Sequence, residues 1–336
     1  MWRRTQNQRR AFFPDRELFY CLVGFIFCLA MPYGCKRSPV SSARAAGKPL
    51  VVCTTTMIAD MVKQLVADLA DVQGIMKPGV DPHIYTPTPG DATLFRQADL
   101  ILANGLHLEG RMIDMIEAAG NKAVELAETA EIPVRQSVLT SAPDPHVWWD
   151  IRNFIVFTKR ASQELKRLLP VHATEIQQRA GSYISLLETL HQQIKQAIDL
   201  IPASQRLMVT SHDAFFYYGA AYSIEVDAVL GISTDAQANA AEPLRLAELV
   251  SRRRIPAIFH ETSVSQSQNA LVDSIQRLAR EKYNHLLSIA GPLYSDSLGS
   301  PTSNAPTYPA AIKANTQTIV DALTRQQHVQ LFGNTQ

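Results

Sequence analysis

Short apolar runs alternate along this chain with longer segments whose apolar residues recur every three or four positions. The run at 50–53 predicts a buried strand, and the segment that follows it has the spacing of an amphipathic helix. Strands are predicted at 48–54, 72–76, 100–103 and 123–126, and helices at 57–69, 91–97 and 108–118. This alternation indicates a parallel sheet flanked by helices.

One uninterrupted helical pattern occupies 172–201, which corresponds to about 45 Å of helix. After Pro202 the alternation restarts. Strands are predicted at 206–210, 224–229, 257–260 and 286–289, and helices at 214–221, 243–253, 266–280 and 308–323. We therefore predict an α/β protein with two lobes of parallel sheet, 48–171 and 202–330, joined by one long rigid helix at 172–201. Ligands of such folds bind outside the carboxyl ends of the strands, which places a site in the cleft between the lobes.

Residues 1–47 differ from the rest and predict an export signal with a short linker. Met1–Arg10 contains four arginines and no acidic residue, and Leu18–Met31 is almost wholly apolar. At about 14 residues this run is shorter than the roughly 20 that span a bilayer. Ala43-Arg44-Ala45 offers an ordinary cleavage site and Gly34-Cys35 a lipoprotein site. The leader predicts a periplasmic protein, or one anchored outside the cytoplasm by a lipid at Cys35.

Cysteine usage and charge exclude several classes of protein. Three of the four cysteines lie in the leader, so Cys53 is the only thiol of the body. One thiol makes neither an internal disulfide nor a cysteine zinc site. The net charge is +1, and the densest basic cluster, Arg252-Arg253-Arg254, ends a predicted helix, where cations are favoured. Nucleic-acid binding therefore receives no support.

The tripeptide Asp-Pro-His occurs twice, and each time it ends on a candidate metal ligand, His83 or His146. A third histidine, His212, follows the predicted strand 206–210. Proline restricts its own backbone and that of the residue before it, so both loops are stiffened. We expect the two adjacent aspartates to orient an imidazole or to hold the loop. The remaining histidines, at positions 107, 172, 191, 260, 285 and 328, lack this pattern.

Three imidazoles require a fourth, oxygen ligand to enclose a transition-metal ion. Glu261 and Asp296 both follow late strands, and spacing alone does not choose between them. A zinc hydrolase is the alternative function for such a set. It needs an open coordination position and a general base. The sequence has no His-Glu-x-x-His helix, and Glu261 is the only obvious base nearby.

Six ordered motifs within Pro49–Arg325 resemble those of the metal-binding solute-binding proteins of ABC importers, the TroA- and ZnuA-type receptors. The resemblance implies the ligands His83, His146, His212 and Asp296, with Glu261 in the cleft wall. It also implies a monomeric carrier, not an enzyme, that delivers its ion to a membrane permease driven by a cytoplasmic ATPase. The motifs are Pro78–Pro87, Asn104–Glu109, Asp144–Asp150, Ser211–Phe215, Gly231–Thr234 and Leu293–Gly299.

The ligand set favours zinc over manganese, and iron is a third possibility. Three imidazoles and one carboxylate suit zinc by ligand softness and by intrinsic affinity. Manganese receptors of the family place a glutamate where His212 stands. Zinc-specialised members often carry a histidine-rich loop after the first ligand, and its absence here keeps manganese open. A surface adhesin with the same fold is a further alternative that the sequence does not test.

Overall fold

The computed structural model describes residues 47–137, 141–237, 239–325 and 331–332. The predicted leader up to residue 46, with Cys35 and both candidate cleavage sites, lies outside the described residues. So do His328 and the predicted end of the second lobe at 326–330.

The first half of the body is built on a four-stranded parallel sheet in the order β2-β1-β3-β4. The two central strands are β1 and β3, and every residue in them is buried, as expected for a sheet covered on both faces. The strands are β1 (Leu50–Cys53), β2 (Asp71–Gly74), β3 (Leu100–Ala103) and β4 (Ala123–Glu125), and the first helices are α1 (Thr56–Val66), α2 (Pro89–Gln97) and α3 (Ile113–Ala118).

Side-chain caps fix where the first two helices begin. The Thr55 side chain accepts a hydrogen bond from the backbone of Ile58 at the start of α1. At α2, Thr88 and Asp91 form a reciprocal capping box, and Pro89 occupies the first turn, where its missing N–H is not needed. This cap starts α2 at Pro89, two residues before the start predicted from its apolar pattern.

The helix α4 (Ile151–Leu168) was not predicted from the sequence. Its buried face includes the polar residues Asn153, Thr158 and Ser162 among its apolar ones. Thr158 donates its hydroxyl to the carbonyl of Phe154 within the helix, so it is buried without an unmet hydrogen bond. The apolar residues recur at helical spacing, so the sequence carried the signal of this helix.

The long predicted helix is present as α5 (Ala173–Ile198), preceded by a single 3-10 turn at Pro170–His172. It begins one residue later and ends three residues earlier than predicted, and its 26 residues span about 39 Å. It packs against α1 and α4 from the first half and against the last helix of the chain. One element therefore contacts both halves.

The second half contains two parallel strand pairs, β5-β6 and β7-β8, with β5 and β7 close together. The prediction of parallel strands is confirmed in both halves. The strands are β5 (Leu207–Thr210), β6 (Glu225–Ala228), β7 (Ala257–Glu261) and β8 (Ser288–Leu293), and the helices are α6 (Phe216–Tyr222), α7 (Glu242–Arg252), α8 (Gln266–Tyr283) and α9 (Tyr308–Thr324).

A single large hydrophobic core runs from β1 and α1, along α5, into the strands and helices of the second half. A smaller cluster lies on the other face of the first sheet, against α2. The lobe boundaries at residues 171 and 201 stay a prediction. In the part of the chain described, no helix combines the length and the apolar character needed to cross a bilayer.

Two adjacent leucines of α5 test how much the fold depends on this helix. Leu187 is fully buried, whereas Leu186 is about half exposed. We expect Leu187→Ala to lower the free energy of unfolding by about 2–5 kcal/mol, because it leaves a cavity in the shared core. Leu186→Ala, the matched control, changes it by less than about 0.5 kcal/mol. Denaturant unfolding measures both, and equal effects would contradict the assignment of α5 to the core.

Candidate metal centre

The four residues suggested as metal ligands come from four separate segments of the chain. His83 lies in the loop between β2 and α2, and His146 directly precedes the 3-10 turn that leads into α4. His212 follows β5 by two residues, and Asp296 follows β8 by three. All four side chains are buried. The segments meet beyond the carboxyl ends of the strands, as parallel α/β folds arrange their sites.

The donor atoms of these side chains are close together. The Nε2 atoms of His83 and His146 are 3.2 Å apart. The Asp296 carboxylate lies 3.5 Å from His146 Nε2, through Oδ1, and 3.1 Å from His212 Nε2, through Oδ2. His83 Nε2 is 4.0 Å from Asp296 Oδ2. One donor atom from each residue lies within 4.8 Å of all the others.

These separations fit one small divalent cation. Ligand bonds of 2.0–2.2 Å in a tetrahedron place neighbouring donors about 3.3 Å apart, close to three of the four distances above. Both carboxylate oxygens of Asp296 and the Nε2 of His212 are buried, and none forms a hydrogen bond with any residue that the structure describes. Buried polar atoms are rarely left without a partner. An ion among the four donors would supply it.

The electrostatics of the centre also favour a cation. Burial lowers the pKa of His83 to about 3, so this imidazole is neutral and has a lone pair to donate. Burial opposes a charge on His212, but the negative charges of Glu261 and Asp296 outweigh it and raise its pKa well above the usual value. Burial likewise opposes ionisation of Asp296, yet positive charge on His212 keeps its pKa below the usual range. The two buried carboxylates thus require positive charge beside them.

Asp144 orients His146, as the Asp-Pro-His motif suggests. Its Oδ1 lies 2.8 Å from His146 Nδ1, which directs Nε2 toward the other donors. Arg135 then links two ligand segments, because its guanidinium contacts Asp144 and, at 2.7 Å, Asp213 beside His212. The corresponding aspartate of the first motif, Asp81, does not contact an imidazole in this way. It accepts the backbone N–H of His83 and so holds the loop.

Glu261 lies behind His212 and does not join the donor cluster. Its Oε1 accepts the backbone N–H of His212 at 2.8 Å, and its Oε2 lies 2.7 Å from Nδ1 of the same residue. Spacing in the sequence left Glu261 and Asp296 as alternative oxygen ligands. In the structure, Asp296 lies among the donor atoms and Glu261 does not. Both contacts of Glu261 fix the ring of His212, with Nε2 facing Asp296.

Hydrogen bonds between the two halves close the site. Thr234 donates its hydroxyl to Asp81 at 2.6 Å, and the backbone N–H of Gly79 donates to Ser297 Oγ at 2.6 Å. A cavity of about 900 Å³ opens beside the cluster, between loops of both halves, and His83 is the one donor residue on its wall. An ion exchanging with solvent through this cavity would meet His83 first.

The other described histidines do not join the cluster. His260 is next to Glu261 in sequence, but its side chain is partly exposed and pairs with Asp273. His191 contacts Tyr222, and His285 contacts the carbonyl of Ile255. Cys53 is fully buried, and burial raises the pKa of its thiol well above the usual value, which agrees with a packing role.

The sequence did not reveal Thr234 or Trp149, which contact ligand segments from far along the chain. Thr234 lies in the Gly231–Thr234 motif, so the motif marked the segment but not the contact. Trp149 lies within the Asp144–Asp150 motif, and nothing in the sequence indicated which residue accepts its hydrogen bond.

Comparison with known proteins shows the family of this chain. The sequence profile of the family described as zinc-uptake complex component A, periplasmic, or ZnuA, matches residues 51–322. The chain belongs to the ZnuA family.

Individual relatives of this family member bind different metals. The zinc-binding protein TroA of Treponema pallidum is 40% identical over 286 residues, which cover 84% of this chain and 91% of TroA. The manganese-binding lipoprotein MntA of Bacillus subtilis is 34% identical over 288 residues, 84% of this chain and 92% of MntA. The solved structure of periplasmic TroA from Treponema pallidum superposes with a TM-score of 0.76 at 38% identity, covering 82% of this chain and 99% of TroA. The predicted α/β fold is thereby confirmed.

The contact between Glu261 and His212 predicts a loss of affinity on removing its charge. Glu261→Gln keeps the shape of the side chain but removes the carboxylate that orients His212, and we expect zinc affinity to fall about 10–100-fold. Asp273→Asn is the matched control, because it removes a carboxylate from His260, next in sequence to Glu261 but outside the cluster. Competition titration against a fluorescent zinc chelator measures both. Equal affinity in the two variants would refute an orienting role for Glu261.

Proposed function

We propose that this ZnuA-family protein captures one divalent transition-metal ion outside the cytoplasm and hands it to an ABC-type importer. The observation that carries the proposal is the convergence of four buried donors, His83, His146, His212 and Asp296, at the spacing of one coordination sphere. The ligands come from both halves of the chain, which suits a site that must bind and then release its ion.

Zinc is the ion that the donor set supports best. Three imidazoles with one carboxylate match zinc coordination in proteins, and zinc exceeds manganese and iron in affinity for nitrogen ligands. TroA, 40% identical to this chain, is named as a zinc-binding protein. MntA, at 34% identity, is named for manganese, so manganese is the next candidate and ferrous iron the third.

The arrangement supports a carrier over a hydrolase. A hydrolytic zinc site keeps a coordination position for water and needs a base directed at it. Glu261 is the nearby base that the sequence offered, and both of its oxygens contact His212 instead. The four donors also leave few openings for substrate, because His83 alone borders the cavity.

The partners of this carrier are a membrane permease and its cytoplasmic ATPase, as membership of the family implies. We propose that the mature protein is a monomer and that a lipid on Cys35 tethers it to the membrane. The sequence places 12 residues between Cys35 and Lys48.

Replacing Cys35 tests the tether. We expect Cys35→Ser to move the full-length protein from the membrane fraction to the soluble extracytoplasmic fraction, because the lipid-bearing thiol is lost. Cys28→Ser, which changes another leader cysteine, is the control and leaves the protein on the membrane. Fractionation and labelling with a fatty-acid analogue measure the outcome. Labelling of the Cys35→Ser protein would rule out this anchor.

Substitution of the third ligand tests the ion. His212→Glu replaces an imidazole by a harder carboxylate, so we expect the preference for zinc over manganese to fall at least about tenfold. His260→Glu makes the same change outside the cluster and is the control. Metal analysis after dialysis against equimolar zinc and manganese measures the ratio. Retention of neither metal by the unmodified protein would sink the proposed function, and an unchanged ratio in His212→Glu would sink the argument from ligand softness.

A further inference from the structure

Trp149 joins two of the metal-binding segments by a buried hydrogen bond. It lies three residues after His146, and its indole N–H donates to the backbone carbonyl of Ser295 at 2.9 Å. Ser295 directly precedes Asp296, and 146 positions separate donor from acceptor along the chain. The bond therefore ties the His146 segment to the segment that carries the carboxylate.

The ring of Trp149 also touches the third segment. It stacks on Phe215, three residues after His212, with centroids 5.4 Å apart, and on Tyr308 at the start of α9. The side chain is almost fully buried. One indole thus contacts the chain near His146, near His212 and beside Asp296.

Asp296 and His83 are the donors whose side chains receive no orienting contact from outside the cluster, among the residues that the structure describes. Asp144 contacts the ring of His146, and Glu261 contacts the ring of His212. The Asp296 carboxylate, in contrast, accepts no hydrogen bond from the residues that the structure describes. Its position is set through the backbone. The contacts there are the Asp296 N–H, which donates to Ser263 Oγ, and the bond from Trp149 one residue earlier.

We propose that Trp149 is a positioning residue that holds Asp296 at the ion through the Ser295 carbonyl and thereby slows metal release. The inference rests on the proposed function, because it needs Asp296 to be a ligand. A hydrogen bond between segments restricts how far the Asp296 backbone moves from the imidazoles. Without this bond the carboxylate leaves the ion more often, and the three histidines retain the ion less well.

The test is the rate at which zinc leaves the protein. Trp149→Phe keeps an aromatic ring in the stack but deletes the donor, and we expect zinc to dissociate about tenfold faster. Tyr308→Phe is the matched control, because it deletes a buried hydrogen bond of the same aromatic cluster, from the Tyr308 hydroxyl to the carbonyl of Trp148. In that variant the rate stays within about twofold. Stopped-flow mixing of the zinc-loaded protein with excess chelator gives both rates.

A double-mutant cycle separates positioning from general loosening of the core. If Trp149 acts through Asp296, then Trp149→Phe accelerates release in the native protein but not in an Asp296→Ala background. An equal acceleration in both backgrounds, or the same acceleration from Tyr308→Phe, would overturn the proposal. The unfolding temperature of the metal-free protein, measured alongside, reports structural damage separately.

An isosteric residue guards against a variant that fails to fold. Benzothienylalanine at position 149 replaces the indole N–H by sulfur and preserves the ring shape, so faster release again supports the proposal and an unchanged rate refutes it. The measurements distinguish a failure of the proposed function from a failure of the role of Trp149. If the unmodified protein binds no zinc, the proposed function is wrong. If it binds zinc and no change at position 149 alters the release rate, only the role of Trp149 is wrong.

Discussion

The arrangement of this protein depends on burying three carboxylates, those of Asp144, Glu261 and Asp296, with three imidazoles in one place. A buried charge without a partner costs several kcal/mol, and unmet buried hydrogen-bonding atoms add to that cost. The surrounding network offsets part of it: Asp144 contacts His146, Glu261 contacts His212, and Arg135 joins the two segments. The inward-facing atoms, Asp296 Oδ1 and Oδ2 among them, are left for a cation. A bound cation would therefore supply the missing partner of these buried atoms.

The ligands lie on loops, and of their supports Glu261 lies on a regular element, whereas Asp144 and Arg135 lie on loops as well. Glu261 is the last residue of β7, and Arg135 stacks over Phe216 at the start of α6. A strand end is a rigid position, so Glu261 fixes His212 more firmly than a loop residue would. Asp296 has no equivalent partner for its carboxylate. The site thus combines two imidazoles that carboxylates hold, those of His146 and His212, with Asp296, whose position is set through its backbone.

Much of this arrangement could be predicted from the sequence. The strands were marked by apolar runs, and β3 has the predicted bounds. The repeated Asp-Pro-His and the strand-end His212 pointed to three of the four side chains that cluster in the structure. The helix α4 was not predicted, although its apolar residues recur at helical spacing around the buried polar residues Asn153, Thr158 and Ser162. Glu261 and Asp296 were not separable by spacing, since both follow strands. The family resemblance implied Asp296 as the ligand, and the packing of β7 against β5 brings Glu261 behind His212.

The hydrophobic pattern does not encode contacts between residues that are distant in sequence. The bonds from Thr234 to Asp81 and from Trp149 to Ser295 join positions 153 and 146 residues apart. Each connects a ligand segment of the first half to a loop of the second. Because α5 packs against helices of both halves, the helix side of the body is held by apolar contacts, while the site side is held by a few hydrogen bonds and the ion. We therefore expect that opening the site to release metal breaks polar contacts near the ligands and leaves the core around α5 intact.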